Sequence, residues 1–313
     1  MTQRILNIGT RGSLLALTQS EWVKAALERQ WQECRVELKI IKTTGDKILD
    51  VPLAKVGGKG LFVKELEDAL LEETVDLAVH SMKDVPADLP HGLEIGAIPR
   101  REDPRDVLIS RNGQDLYGLP LNARLGTSSL RRAAQLKFLR PDLQIENLRG
   151  NLDTRLRKLE EGRYDAIVLA AAGIHRMGWQ DRITAYLSTT EFLPAIGQGA
   201  LGIEIRSEDQ TMRELIAPVH DSDTAAAVRA ERSLLMGLQG GCQVPIAGHA
   251  QVSNGQIALQ GLVASLDGKQ MFRMTRSASY DEAESLGRDL ARELLDAGAR
   301  AILDEIYGAA QTS

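Results

Sequence analysis

Between Val75 and Pro86 the chain passes from the pattern of a buried strand to a cluster of reactive side chains. The run Val75 to Val79 is largely apolar and β-branched, as in a strand covered on both faces. It ends in His80-Ser81-Met82-Lys83-Asp84-Val85-Pro86. Strands of this kind alternating with helical patterns confine a chain to an α/β architecture, in which ligands sit beyond the carboxyl ends of the strands. Here that end offers the hydroxyl of Ser81, the ammonium of Lys83 and the carboxylate of Asp84 within four residues. A lone Lys-Asp pair is more simply read as a turn, but other polar clusters in this chain also follow apolar strands.

Leu6 to Ile8 reads as a strand, followed by Gly9-Thr10-Arg11-Gly12-Ser13. Ser13 is placed to cap a helix from Leu14 to Arg29, with Leu14, Leu17, Val23 and Leu27 near one face. Strands are expected at Val36 to Ile41 and Leu93 to Ile98, and an amphipathic helix from Phe62 to Glu73. Leu125-Gly126-Thr127-Ser128-Ser129-Leu130 echoes Ile8 to Leu14 with one residue fewer, and Leu159 to Val168 echoes Leu71 to Val79. The repeated order predicts two α/β lobes with parallel strands, facing each other across a cleft. Proline-rich and glycine-rich crossings at Pro99 to Asp106 and Leu193 to Glu204 divide them. The first lobe then takes residues 1–99 with 200–220, and the second takes 100–199. A helix from Thr224 to Gly237, strands at Ile257 to Ala264 and Gln270 to Ser277, and a last helix from Asp281 to Tyr307 predict a small α+β domain over 221–313.

Charge narrows the partners. The net charge is −5, which argues against nucleic acid. Yet Arg124 to Arg176 holds eleven Lys and Arg against six Asp and Glu, a local balance of +5. Arg131 and Arg132 follow the Thr127-Ser128-Ser129 turn, Arg149 precedes Gly150, Arg155 lies a turn later, and Arg176 follows a strand. Guanidinium forks beside helix starts suit a polyanionic ligand. Lys55-Val56-Gly57-Gly58-Lys59-Gly60 lacks the P-loop order and is either a solvated loop or an anion-binding lid. No apolar stretch is long enough to span a bilayer, and the N-terminus has no apolar signal region, so a cytoplasmic location is expected. Cys34 and Cys242 lie far apart, which fits a reducing compartment, and the scattered cysteines and histidines show no metal-ligand spacing. Cys242 sits in Gly240-Gly241-Cys242-Gln243-Val244-Pro245, a loop setting that favours a reactive or modified thiol, whereas Cys34 reads as structural.

Taken together, Thr10 to Leu17, Leu53 to Phe62, His80 to Pro86, Gly126 to Arg132, Leu148 to Asn151, Gly197 to Ala200 and Gly240 to Pro245 closely resemble the porphobilinogen deaminase family, nearly end to end. Gln239 stands where the family often has Glu, and Leu152 where it often has Val. The resemblance implies two lobes like the type II periplasmic binding proteins, with a central cleft, plus the small C-terminal domain. It implies a monomeric, membrane-free transferase of heme biosynthesis. Four porphobilinogen molecules are joined head to tail with loss of ammonia, and the linear tetrapyrrole hydroxymethylbilane is released. It also implies a dipyrromethane cofactor held by a thioether to Cys242. Each pyrrole carries an acetate and a propionate, so the growing chain is a polyanion, and deamination makes a cation that a buried carboxylate stabilises. Asp84 fits that role. Cofactor contacts fall to Lys83, Ser81, Ser13, Thr127, Ser128, Ser129, Arg131, Arg132 and Gly150. Substrate contacts fall to Arg11, Arg149, Arg155, Arg176 and Gln198, with Lys55, Lys59 and Phe62 in a lid. The rival expectation is a two-lobed protein that binds a small anion without chemistry.

Overall fold

A computed structural model describes residues 4–47, 62–240 and 244–311. The chain forms two compact units, Met1–Glu102 with Gly199–Ala225 and Asp103–Gln198 with Ala226–Ser313. Of the segment expected as a third domain, residues 226–313 lie in the same compact unit as residues 103–198.

In the first unit, β1 (Arg4–Thr10), β2 (Cys34–Ile40), β3 (Leu77–Ser81), β4 (Leu93–Ala97) and β10 (Leu201–Arg206) form one sheet in the order β2-β1-β3-β10-β4. β1 runs parallel to β2 and β3, but β10 is antiparallel to both β3 and β4. The expectation of parallel strands is thus corrected to a mixed sheet. An apolar run reports that both faces of a strand are covered and carries no information on its direction. Here both faces are covered: Leu6, Ile8, Leu77, Val79 and Ile203 cluster with Val23 and Leu27 on one side, and Val75 and Ala78 cluster with Leu66 and Leu70 on the other.

The first of these layers is α1 (Leu14–Gln30), capped as expected, with the Ser13 hydroxyl accepting the Ala16 N–H at 3.3 Å. Its buried face differs from the leucine spacing. Leu14 is exposed, while Gln19 and Ser20 are buried beside Val23 and Leu27. The polar pair tolerates burial because each has a partner: Gln19 Nε2 donates to Ser81 Oγ at 3.1 Å, and Ser20 Oγ donates to Thr10 Oγ1 at 2.8 Å. The second layer is α2 (Lys64–Leu71).

The second unit repeats the plan. β5 (Asp106–Ser110), β6 (Arg124–Gly126), β7 (Gln144–Glu146), β8 (Ala166–Ala170) and β9 (Ala185–Leu187) lie in the order β7-β6-β8-β5-β9. β6 is parallel to β7 and β8, and β5 is antiparallel to β8 and β9. β6 leads through Thr127-Ser128-Ser129 into α3 (Leu130–Leu139), as β1 leads into α1. α4 (Leu152–Glu160) and α5 (Ala171–Arg176) flank β8.

The rest of this unit is an antiparallel sheet β11-β12-β13 (Ile246–Ser253, Gln256–Ala264, Met271–Ser279). α7 (Ser222–Gly237), α8 (Ala283–Leu294) and α9 (Arg300–Gln311) accompany it; α6 (Gln210–Ile216) belongs to the first unit. β11 was not expected; its glycine and histidine break the apolar alternation that marked its neighbours. Leu262 and Ala264 of β12 cluster with Ala134 of α3 and with Leu193, which joins the small sheet to the rest of the unit. The single C-terminal helix expected from the sequence is interrupted at Gly298, whose φ of 122° is left-handed. A β-carbon there would lie 2.8 Å from Phe272 Cζ. Gly298→Ala should therefore cost about 1–3 kcal/mol of stability, read as a lower urea midpoint with an unchanged slope.

Candidate functional site

In the first unit, β1 and β3 are neighbouring parallel strands, so Arg11 and Asp84 both lie just past carboxyl ends. Beyond β3, Met82–Asp84 make one 3₁₀ turn. Met82 N donates to Ala200 O at 3.0 Å and Val85 N to Met82 O at 3.2 Å, which docks the turn at the start of β10. Lys83 and Asp84 are half-buried on this turn. Ser81 is held by Gln19, and Ser13 caps α1. The Arg11 guanidinium lies 4.3 Å from the Phe62 ring centroid, a cation–π pair.

Behind the turn, the buried Glu204 of β10 accepts from His80 Nε2 at 2.8 Å, and its other oxygen, Oε1, is buried with no hydrogen-bond partner. Glu67 of α2, 7% exposed, belongs to the same cluster. Its carboxyl is pushed up to about 7, chiefly by burial, then by Glu204 and Asp68, with His80 opposing.

In the second unit the centre is a residue that the sequence reading passed over. Asp106, at the start of β5, has no exposed surface. Arg131 Nη1 donates to it at 2.7 Å, Arg132 Nε at 3.0 Å and Nη2 at 2.7 Å, and Gln198 Nε2 at 3.1 Å. Arg131 also donates to Leu193 O, and Arg132 to Val168 O. Burial alone would raise the Asp106 carboxyl, but the two guanidinium groups hold it far below the ordinary carboxylate range. Gln198, expected to line the ligand cleft, is fully buried, and its amide serves Asp106 and Pro104 O. One sequence signal existed: an acid at the head of the otherwise apolar strand Asp106-Val107-Leu108-Ile109.

The hydroxyls of the turn before α3 shape that turn. Ser129 Oγ caps the helix by accepting Arg132 N, Thr127 Oγ1 accepts Ser129 N, and Ser128 Oγ donates to Asn147 Oδ1 and Leu148 O. Ser128 thereby fixes the segment carrying Arg149 and Gly150. Gly150 is left-handed, with φ 112°, and its carbonyl accepts Arg155 Nε at 2.8 Å. Arg149 Nε is buried with no hydrogen-bond partner. Arg176 is half-buried on the last turn of α5. Lys55, Lys59 and Cys242 lie outside the described residues.

A family model described as "Porphobilinogen deaminase, dipyromethane cofactor binding domain" matches residues 6–214. The chain belongs to the porphobilinogen deaminase family. A second model of the same family, for its C-terminal domain, matches residues 225–296. A relative named porphobilinogen deaminase from Syntrophobacter fumaroxidans is 66% identical over 99% of this chain and 100% of its own length. One from Geobacter metallireducens is 55% identical over 98% of this chain and 96% of its own. Among solved structures, an arginine-specific periplasmic binding protein of Salmonella typhimurium is 14% identical, covering 71% of this chain and 94% of its own, with a TM-score of 0.39. The fold class is α/β with a small α+β C-terminal domain, and among the described residues no helix is long and apolar enough to cross a membrane.

The residues present fit a carboxylate-bearing cofactor. Two buried guanidinium groups against one buried carboxylate leave a surplus positive charge, and Arg149 Nε adds a buried donor awaiting an acceptor.

Two outcomes follow for Asp106. Asp106→Asn leaves two buried guanidinium groups without their carboxylate and should cost about 3–5 kcal/mol in denaturant unfolding. Because the folded carboxyl is depressed, its contribution is present above the ordinary carboxylate range and is lost as pH falls below it. The Asn variant should lack that part of the acid limb.

Proposed function

We propose that this chain joins four porphobilinogen molecules head to tail, releases ammonia at each coupling, and frees hydroxymethylbilane by hydrolysis. The full-length match to relatives bearing the deaminase name carries this reading and favours it over a non-enzymatic anion binder. The surplus positive charge around Asp106 and the unpartnered Arg149 Nε support a ligand rich in carboxylates. In this reading the chain is a cytoplasmic, monomeric transferase of tetrapyrrole biosynthesis.

Asp84 is the acid–base residue. Each coupling breaks the bond from the aminomethyl carbon to nitrogen, with nitrogen leaving as ammonia, and forms a carbon–carbon bond to a pyrrole carbon that then sheds its proton. Asp84 stabilises the cation left by ammonia and takes up that proton, as a preorganised carboxylate does. Ser81 and Lys83, on the same strand end, bind carboxylate and orient the rings. Arg132, Arg131 and the N–H groups of the α3 turn hold cofactor carboxylates with Thr127, Ser128, Ser129 and Gly150. Arg11, Arg149, Arg155 and Arg176 hold substrate carboxylates. Gln198 keeps Asp106, and through it the arginine pair, in place. Phe62 offers its ring face to a pyrrole, and Lys55 and Lys59 supply further cations for substrate carboxylates. When bound through Cys242, dipyrromethane supplies an anchored pyrrole end from which a chain is extended.

Intact mass of the freshly purified protein tests the anchor. It should exceed the sequence mass by two deaminated porphobilinogen units, and Cys242→Ala should abolish the excess while Cys34→Ala keeps it. An active enzyme of unmodified mass would overturn it. For the chemistry, Asp84→Asn should lose at least about 10³ in turnover while melting close to the parent protein. Near-normal ammonia release in a single turnover would remove Asp84 from the mechanism.

A further inference from the structure

The cluster of His80, Glu204 and Glu67 has no part in the roles above, yet it lies directly behind the turn that carries Asp84. His80 pairs with Gly202 in the β3–β10 ladder, and its imidazole reaches diagonally to Glu204 on the same strand. The two side chains are only 3% and 1% exposed. Gly202 is the seat of Met82: a β-carbon there would lie 2.4 Å from Met82 Sδ. The turn is thus held on β10 by the Met82 N–H to Ala200 O, by the Met82 side chain over Gly202, and by the His80–Glu204 bond one residue before Ser81.

α2 closes this layer. Glu67 faces the pair from the helix, and Glu204 Oε1 has no hydrogen-bond partner. The other charged groups of the elements around α2 are engaged elsewhere or stand further off. From β10, Arg206 Nη1 donates to the Leu70 and Val75 carbonyls, and its Nη2 pairs with Asp209. From β4, Glu94 is held by Arg213. β1 brings no charged side chain among those described. Asp68, on α2 itself, adds a like charge.

We propose that Glu67 is a positioning residue that couples solvent pH to the Asp84 turn. As a protonated acid it lets α2 pack on the His80–Glu204 pair and keeps β3 and β10 in register. As a carboxylate it sets a buried negative charge beside the Glu204 side chain and loosens the seat of Met82. The sign follows from the raised carboxyl: the stabilisation is complete below about pH 4.5 and is lost as pH rises through about 7.

The test is Glu67→Gln, whose neutral amide imitates the protonated acid at nearly the same volume. Its turnover relative to the parent enzyme should be near unity at about pH 6 and should rise severalfold by about pH 8.5. A ratio that stays flat with pH would overturn the proposal. That comparison rests on the proposed deaminase activity; a second one does not. The infrared band of a protonated buried carboxyl should be present in the parent protein at about pH 6, fade near pH 7 and be missing from Glu67→Gln. A band that persists unchanged in the variant, or a parent melting temperature with no loss between about pH 4.5 and 7 that the variant lacks, would equally overturn it. A parent enzyme with no deaminase turnover at any pH, its band and melting behaving as expected, would count against the assigned reaction and leave the coupling of Glu67 to the fold supported.

Discussion

One buried carboxylate governs the second unit. Asp106 lies at the head of β5, and the side chains of α3 and of the crossing before β10 converge on it. A carboxylate and two guanidinium groups out of contact with water are tolerable only because nearly every donor and acceptor has a partner. The arrangement still does not balance its charge. It leaves a net positive centre, which suits the carboxylate-rich ligand of the proposed function. The same cluster fixes where the arginines point, since Leu193 and Val168 carbonyls and the Asp106 oxygens occupy defined directions of the forks.

The first unit solves a different problem. In the proposed function its reactive group is the half-buried carboxylate of Asp84, which has to stay accessible on a fixed backbone. The turn from Met82 to Asp84 meets this by resting on β10, an antiparallel strand supplied by a distant part of the sequence. The two units share a strand order; a hydroxyl, an ammonium and a carboxylate follow β3 in one, and a hydroxyl-rich turn followed by two arginines follows β6 in the other.

Much of this was legible in the residues themselves. Apolar β-branched runs located the strands, Ser13 and Ser129 announced helix starts through their capping hydroxyls, and the echo between residues 8–14 and 125–130 anticipated two sheets of the same order. The polar bursts after Val79 and after Gly126 pointed to candidate sites, because a strand end is where backbone stops using its own hydrogen bonds. The family motifs then tied the scattered bursts to one reaction.

What the sequence determined by itself was the kind of elements, their order and the chemical types gathered at their ends, since these depend on local pattern and side-chain chemistry. Only the tertiary structure decided the antiparallel entry of β5 and β10, the burial of Gln19, Ser20 and Gln198, the break at Gly298, and the partnership of Asp106 with residues 25, 26 and 92 positions away. Glu67, His80 and Glu204 belong to the same class, because 124 positions separate the two members of their bond. Strand direction leaves no mark on an apolar pattern. A polar side chain shows in sequence only that it needs a partner, while the partner's identity is fixed by packing that brings remote segments to hydrogen-bond distance.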